Sequence, residues 1–128
     1  MNYKKIFLKK GKESSLERFH PWVFSGAVAY ADKNIAEGEI VEVYTANKEF
    51  IAVGHFQIGS IAVRVLSFDQ QEINHDFWVK RLSAAYQMRK DLGLDYTPEH
   101  SSFRLVHGEG DFLPGLIVDF YGSTAVMQ

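Results

Sequence analysis

The feature that most constrains the fold is a set of four short apolar runs separated by turn signals. The runs are rich in Val, Ile and aromatic residues and cover residues 25–31, 40–45, 50–56 and 61–68. Polar or glycine-containing segments at 37–39, 46–48 and 58–60 separate them. This spacing predicts a small, mostly antiparallel β-barrel or sandwich.

Upstream of these runs, the pattern predicts one more strand and a small helix. Residues 5–9 have the composition of a short strand, and residues 11–19 have that of a short polar helix. The helix is predicted to end before Pro21, because the residue that precedes a proline avoids helical geometry. Together these elements predict a first domain over residues 1–70, within the usual size range of small domains.

After residue 73 the spacing of apolar residues changes to that of a helix, which predicts an amphipathic helix over residues 75–92. Asn74 is a suitable N-cap, and Gly93 is a suitable C-terminal stop. The predicted buried stripe consists of Trp78, Leu82, Ala85, Met88 and Leu92. Trp78, Tyr86 and Met88 are expected to pack in the core or between domains rather than to line a ligand pocket.

The run 104–122 places a turn-rich polar loop between two apolar strands. Strands are predicted at about 103–107, 116–121 and 123–128, so that residues 73–128 form part of a second α/β domain. A hairpin alone is marginal in water, and an exposed apolar edge needs a cover. We therefore expect the chain to be part of a longer protein. The predicted fold class is α+β.

Composition excludes several classes of chemistry. The chain has no cysteine, and this rules out a disulfide framework, a thiolate nucleophile and a cysteine zinc site, and suits a reducing cytoplasm. The only apolar stretch near the start is residues 6–8, which is too short for an export signal or a membrane span. We expect a cytoplasmic location and no membrane partner.

The net charge of −2 hides an asymmetry along the chain. Residues 1–66 carry nine Lys/Arg against seven Asp/Glu, which gives +2, whereas residues 67–128 carry five against nine, which gives −4. The basic N-terminal end is a candidate surface for a polyanion such as RNA. The alternative interpretation is an ordinary solvated face of a strand and a helix.

Three segments together resemble one family. They are LKKGKESSLERFHPWVFSGAV, GEIVEVYTANKEFIAVGHFQIGSIAVRVLSF and RLVHGEGDFLPGLIVDFYG, in this order and spacing. The chain resembles the N-terminal part of the PUA-domain-containing, S-adenosylmethionine-dependent class I rRNA methyltransferases. Within that family it is most similar to the members that methylate cytosine at carbon 5 in 23S rRNA. The resemblance runs nearly from end to end.

The resemblance implies an architecture of three parts. The first is a PUA-like RNA-binding β-barrel, the second is a central α/β domain, and the third is a Rossmann-like catalytic domain that is absent from this chain. In such enzymes S-adenosylmethionine is the cofactor and a cysteine thiolate attacks carbon 6 of the cytosine. The resemblance therefore implies that rRNA and a methyltransferase domain are partners, and that this chain alone holds no cofactor and is not catalytic. Related enzymes can pair as homodimers.

The resemblance also places the small helix and its flanking strands on the RNA face. There, cations would meet phosphates and an aromatic ring would stack on an unpaired base. The candidate contacts are Lys9, Lys10, Lys12, Arg18, His20, Trp22 and Arg64. Two of them have another interpretation, because Trp22 could be a core aromatic and His20 could simply close the helix.

A polar loop near the end of the chain holds a second set of candidates. Its segment from Gly108 begins like GxGxxG but has Leu113 where the third glycine belongs, and an apolar strand rather than a helix follows it. We therefore expect no nucleotide fingerprint there, but a turn that needs glycine. The polar side chains of this region are His107, Glu109, Asp111 and Asp119. They could cap turns, face RNA or another domain, or act in acid/base chemistry, and we predict no metal site.

Two principal functions remain from the sequence. The first is the RNA-recognition part of an rRNA (cytosine-5) methyltransferase, and the second is a stand-alone, non-enzymatic RNA-binding or dimerisation module. A small hydrolase that uses His107, Glu109 and Asp111 ranks last. We expect the chain to bind structured RNA weakly and with strong salt dependence, and neither to bind S-adenosylmethionine nor to methylate RNA.

Overall fold

The computed structural model describes residues 2–92, 102–107, 117–121 and 124–127. The chain divides into two compact units, Met1–Glu72 and Ile73–Gln128. The elements of the first unit are β1 (Lys4–Leu8), α1 (Ser14–Glu17), β2 (Trp22–Phe24), a 3-10 turn (Ser25–Ala27), β3 (Val28–Ala31), β4 (Ile40–Tyr44), β5 (Phe50–Phe56) and β6 (Ile61–Ser67). Those of the second unit are α2 (His75–Asp91), β7 (Ser102–His107), β8 (Ile117–Tyr121) and β9 (Thr124–Met127).

The first unit is a curled sheet. Among the described residues it contains six strands in the order β2-β6-β5-β4-β1-β3. Neighbouring strands are antiparallel except β1 and β4, which run parallel. The sheet curls as a half-barrel, and this confirms the predicted PUA-like β fold with a small helix.

The core of this unit is built mainly from apolar residues of β1, β2, β4, β5 and β6. The buried core cluster consists of Ile6, Leu8, Leu16, Val23, Val41, Val43, Ala52, Ala62, Val63 and Val65. Leu16 comes from α1, so the short helix covers one part of this core.

Two local predictions in the first unit were wrong. The predicted helix over 11–19 is only the four residues of α1, because Gly11 has a φ of +83° and forms a turn, and Phe19 has a φ of +62° and ends the helix. The predicted strand over 25–31 begins with the 3-10 turn, and the strand proper starts at Val28. The edge strand β2 was not predicted, because three residues are too few to show alternation.

In the second unit, α2 begins at the predicted cap, since the Asn74 side chain accepts a hydrogen bond from the backbone N–H of Phe77 at 3.0 Å. The predicted buried stripe was wrong apart from Ala85. The buried residues of α2 are Phe77, Ala85 and Arg89, whereas Leu82, Tyr86, Met88 and Leu92 are exposed and Trp78 is half-buried. The real stripe therefore follows a spacing of four and includes an arginine.

The strands of the second unit form a separate antiparallel sheet. Among the described residues it has three strands in the order β7-β8-β9. The Arg89 Nε of α2 donates to the backbone carbonyl of Arg104 in β7 at 3.0 Å, which ties the helix to the sheet. No helix in the described part of the chain is long and apolar enough to cross a membrane.

Candidate nucleic-acid interface

The outer face of the sheet near β2 carries a row of polar and aromatic side chains. Trp22 of β2 pairs directly with Arg64 of β6, and Arg64 pairs directly with His55 of β5. Directly paired residues project from the same face of a sheet. Val23 and Val63 alternate with them and are buried in the core, so the row lies on the outer face.

Arg64 makes a ring contact and a hydrogen bond with neighbouring side chains. Its guanidinium carbon lies 5.3 Å from the centroid of the Trp22 ring, which is within cation–π range. Its Nε donates to the Gln57 Oε1 at 2.7 Å. These contacts fix the plane of the guanidinium, and a fixed planar group is the form in which arginine recognises phosphate.

Two further rings surround Trp22. The His20 and Phe24 rings lie 6.0 Å and 6.3 Å from the Trp22 ring, centroid to centroid. The backbone N–H of Trp22 donates to the His20 Nδ1 at 3.2 Å, which positions the imidazole. Phe24 is 49% exposed and His20 is also exposed. We refer to His20, Trp22, Phe24 and Arg64 as the Trp22 cluster.

The residues between β1 and β2 supply cations close in sequence to this cluster. Lys9, Lys10, Lys12 and Arg18 are all exposed, and we call them the basic segment. Their backbone is fixed, because the Lys9 N–H donates to the Ala27 carbonyl at 2.8 Å and the Lys12 N–H donates to the Lys9 carbonyl at 3.0 Å. Ordered backbone with solvated ammonium groups suits contact with a phosphate chain.

Phe19 ends α1 in an unusual way. Its N–H donates to the Leu16 carbonyl at 2.9 Å, and the His20 N–H donates to the Ser15 carbonyl at 3.0 Å. This pair of bonds is the Schellman motif, in which the left-handed residue is normally glycine. Phe19 takes this place with a φ of +62°, a conformation that costs an L-residue about 1–2 kcal/mol.

The Phe19 ring is held in place although it is largely in solvent. It lies 5.2 Å from the Phe68 ring at an interplanar angle of 84°, in an edge-to-face arrangement. It is nevertheless 70% exposed. The ring is therefore ordered and exposed, on a backbone conformation that costs local stability.

The structure brings together three of the predicted site residues, His20, Trp22 and Arg64. The predicted lysines and Arg18 stand on the adjoining segment. Trp22 is half-buried and does not belong to the core cluster, so the core interpretation of this residue was wrong. Sequence reasoning missed Phe19, Phe24 and Gln57. Pro21, two residues after Phe19, is the one sequence signal for a helix end at that point.

The loop candidates are not assembled into a site by the described residues. Glu109 and Asp111 lie outside the described residues, and so do the side chains of His107 and Asp119. In the parts of the chain that the structure covers, no group of three or more His, Cys, Asp or Glu side chains is placed to hold a metal ion.

The strands on either side of the 108–116 segment are β7 and β8, which are antiparallel neighbours. The described element that follows the GxGxxG-like segment is therefore a strand, as the sequence predicted.

A second aromatic row lies towards the opposite edge of the first unit's sheet, away from β2. Tyr30, Phe7, Tyr44 and Phe50 pair in register across β3, β1, β4 and β5. The Phe7 and Tyr30 rings stack on each other at 4.6 Å. The aromatic faces in this row are therefore partly covered by one another.

Charges of both signs lie beside this second row. The buried carboxylate of Glu42 accepts hydrogen bonds from the Tyr44 hydroxyl at 3.3 Å and the Gln70 amide at 3.1 Å. Burial, together with the Glu42 charge, raises the pKa of Tyr44. A buried carboxylate therefore lies beside this row, and the Lys5 ammonium lies 5.2 Å from the centroid of the Tyr44 ring.

Comparison with known proteins agrees with this architecture. Residues 6–68 match the family described as a PUA-like domain. The chain is 42% identical over 126 residues to the ribosomal RNA large subunit methyltransferase I of Erwinia tasmaniensis, and this match covers 97% of the chain and 31% of that protein. The enzyme of the same name from Photobacterium profundum is 43% identical over 126 residues, which covers 96% of the chain and 31% of that protein.

A solved structure has the same fold. A chain from Streptococcus mutans, assigned as a SAM-dependent methyltransferase, aligns with a TM-score of 0.77 and 18% identity over 96% of this chain and 32% of its own length. The first unit is thus a PUA-like domain. Along almost its whole length the chain is homologous to part of these ribosomal RNA large subunit methyltransferases I. It spans about a third of the length of the curated relatives it matches.

Proposed function

We propose that this chain is the RNA-recognition region of an S-adenosylmethionine-dependent rRNA (cytosine-5) methyltransferase. The observation that carries the proposal is the Trp22 cluster. In it the Arg64 guanidinium lies over the Trp22 ring, 5.3 Å from its centroid, and the exposed rings of His20 and Phe24 flank Trp22. The basic segment adjoins it along the chain. Aromatic faces for bases beside cations for phosphates are the two elements of single-stranded RNA binding.

In this proposal each group has a role. The basic segment and Arg64 neutralise phosphates, and His20, Trp22 and Phe24 contact unpaired bases. If all five Lys/Arg side chains meet phosphates, the logarithm of affinity falls with the logarithm of salt concentration with a slope of about −3.5, since each contact contributes about −0.7 for a single strand. Fewer contacts give a proportionally smaller slope.

The catalytic part of the proposal concerns the rest of the protein. In this proposal a methyltransferase domain outside the chain binds S-adenosylmethionine and supplies the thiolate that attacks the cytosine ring, for which the chain has no cysteine. The relatives, about three times as long as this chain, support that division. The protein would act on rRNA in the cytoplasm, where the region described here would hold the substrate.

The binding proposal is tested with two matched lysine variants. Lys10 and Lys33 are both exposed. Lys10 is in the basic segment, whereas Lys33 follows β3 at the opposite end of β1, as the register of β1 with β3 requires. Lys10→Gln should weaken binding to a labelled single-stranded rRNA fragment and reduce the salt slope by about 0.7. Lys33→Gln should leave the slope unchanged, measured by fluorescence anisotropy over a salt series. Equal slopes for both variants, or flat binding by the wild type, would contradict the proposal.

The reaction is tested separately with the full-length protein. Incubation with unmodified 23S rRNA and S-adenosylmethionine should yield 5-methylcytidine in digested nucleosides, as read by mass spectrometry. A methyl group on another base or another atom would exclude the cytosine-5 assignment. The 128-residue chain alone should yield no methylated nucleoside.

A stand-alone dimerisation module is the second candidate, because among the described strands β9 lies at the edge of its sheet and all its residues are exposed, with Met127 at 72%. Exposed edges pair with other strands. Sedimentation of the chain over a concentration series distinguishes the two, since a dimer that binds no RNA would favour this candidate.

A further inference from the structure

Phe19 has a geometry that the end of α1 does not explain. The two Schellman hydrogen bonds need only backbone groups. Glycine would satisfy them without a Cβ in the left-handed region, where Phe19 has a φ of +62°. The helix end therefore gives no reason for a large aromatic side chain at this position.

Packing explains only a small part of the ring. Contact with Phe68 orders it, but 70% of the residue stays exposed. A ring that served the core would be buried, as Leu16 three residues earlier is. The combination of backbone strain, fixed orientation and exposure leaves the ring available to a ligand.

The charges around Phe19 favour an anionic ligand. Residues 9–20 carry four Lys/Arg against two Glu. Arg18 precedes Phe19, and His20 of the Trp22 cluster follows it. A flat apolar surface in a segment with a net positive charge matches a nucleotide, which has a stacking face and a phosphate.

We infer that Phe19 is a stacking platform for an unpaired base of single-stranded RNA, next to the Trp22 cluster. This inference rests on the proposed RNA-binding function and adds a specific contact to it. Stacking on a phenyl ring is tolerant of base identity, so the contact selects unpaired over paired nucleotides rather than one sequence.

The test compares Phe19→Gly with the wild-type chain on two probes. One probe is a labelled single-stranded RNA of roughly 12 nucleotides, within the size range of single-strand sites. The other is the same RNA annealed to its complement. Phe19→Gly should bind the single strand about 5- to 150-fold more weakly, the range that corresponds to the loss of one stacked base. Its affinity for the duplex should not change.

Two further variants keep the test independent of folding. Phe19→Tyr should retain binding, because it keeps the ring. Phe19→Leu keeps an apolar side chain against Phe68 but should lose binding as Phe19→Gly does. The melting temperature of Phe19→Gly should equal or exceed that of the wild type, because glycine relieves the strained backbone.

Three results would overturn the inference. Unchanged affinity of Phe19→Gly and Phe19→Leu for the single strand would assign the ring to another contact, such as a protein surface. An equal loss on single strand and duplex would exclude stacking on an unpaired base. Absence of RNA binding by the wild type would overturn the proposed function as well, whereas a lysine-dependent salt slope with unchanged Phe19 variants would overturn this inference alone.

Discussion

Replacing Gly54 by alanine tests whether the sheet holds Arg64 as described. Gly54 lies in β5 and pairs with Val65 of β6. A Cβ at Gly54 would overlap the backbone carbonyl oxygen of Arg64 and come within 2.9 Å of the Val65 Cα. These atoms are backbone, so no side-chain rotation relieves the contact and β5 and β6 must separate locally.

The cost follows from this overlap. Gly54 has no left-handed φ, so the penalty is steric and not conformational. Overpacking of a well-packed interior costs about 1–3 kcal/mol. For a domain of 60–100 residues each kcal/mol lowers the melting temperature by about 4–8 °C, so a penalty of about 2 kcal/mol lowers it by about 8–16 °C. Affinity for single-stranded RNA should fall too, because the displaced backbone is that of Arg64.

Gly26→Ala is the matched control. A Cβ at Gly26 meets nothing within 4 Å, and the residue has no left-handed φ. This variant should be neutral or more stable by at most about 1 kcal/mol. Thermal unfolding followed by circular dichroism, with RNA affinity by anisotropy, gives both readouts. If the Gly54→Ala chain melts at the same temperature as the Gly26→Ala chain and binds RNA with wild-type affinity, the packing described for β5 and β6 is refuted.

Three further predictions concern His55, Asn74 and Arg64. Burial lowers the pKa of His55 below its ordinary 6.5, so the folded state binds fewer protons than the unfolded state. The free energy of unfolding should therefore fall as the pH drops below about 6.5. His55→Gln should flatten this pH dependence in thermal melts between about pH 5.5 and 7.5. Asn74→Ala removes the cap on the Phe77 N–H and should cost about 1 kcal/mol in thermal unfolding, whereas Asn74→Asp should not. Arg64→Lys keeps the charge but loses the planar group over Trp22, so RNA affinity should fall while the salt slope stays the same, and an unchanged affinity would show that the stacked geometry is irrelevant.

Much of the first unit's fold could be predicted from its sequence because its strands are short runs rich in Val, Ile and aromatic residues, separated by turn signals. Val63, Arg64 and Val65 show the inward, outward, inward pattern that defines a face. The parallel pairing of β1 with β4 could not be predicted, because it depends on long-range register and not on local composition.

The buried stripe of α2 shows where hydropathy fails. Arg89 is buried because its Nε reaches the carbonyl of Arg104, and the Arg81 guanidinium carbon lies 4.6 Å from the centroid of the Phe77 ring. Hydropathy ranks arginine as a surface residue, so counting apolar positions does not detect a buried stripe that includes an arginine.

The charged residues of the candidate site could be predicted from the sequence. The basic segment could be named from its composition. Phe19 and Phe24 could not, because an aromatic residue beside an apolar run is usually assigned to the core. Only the backbone conformation of Phe19 and the outward face of β2 identify these rings as surface groups.

The most direct test of the central claim is to map where RNA touches the chain. Backbone amide NMR spectra recorded with and without a single-stranded rRNA fragment at low salt locate the contact residue by residue. The account predicts shifts clustered at the basic segment, Phe19 and the Trp22 cluster, with the Tyr30 and Phe7 amides unmoved. Shifts confined to the Tyr30–Phe7–Tyr44 row, or none at all, would contradict it.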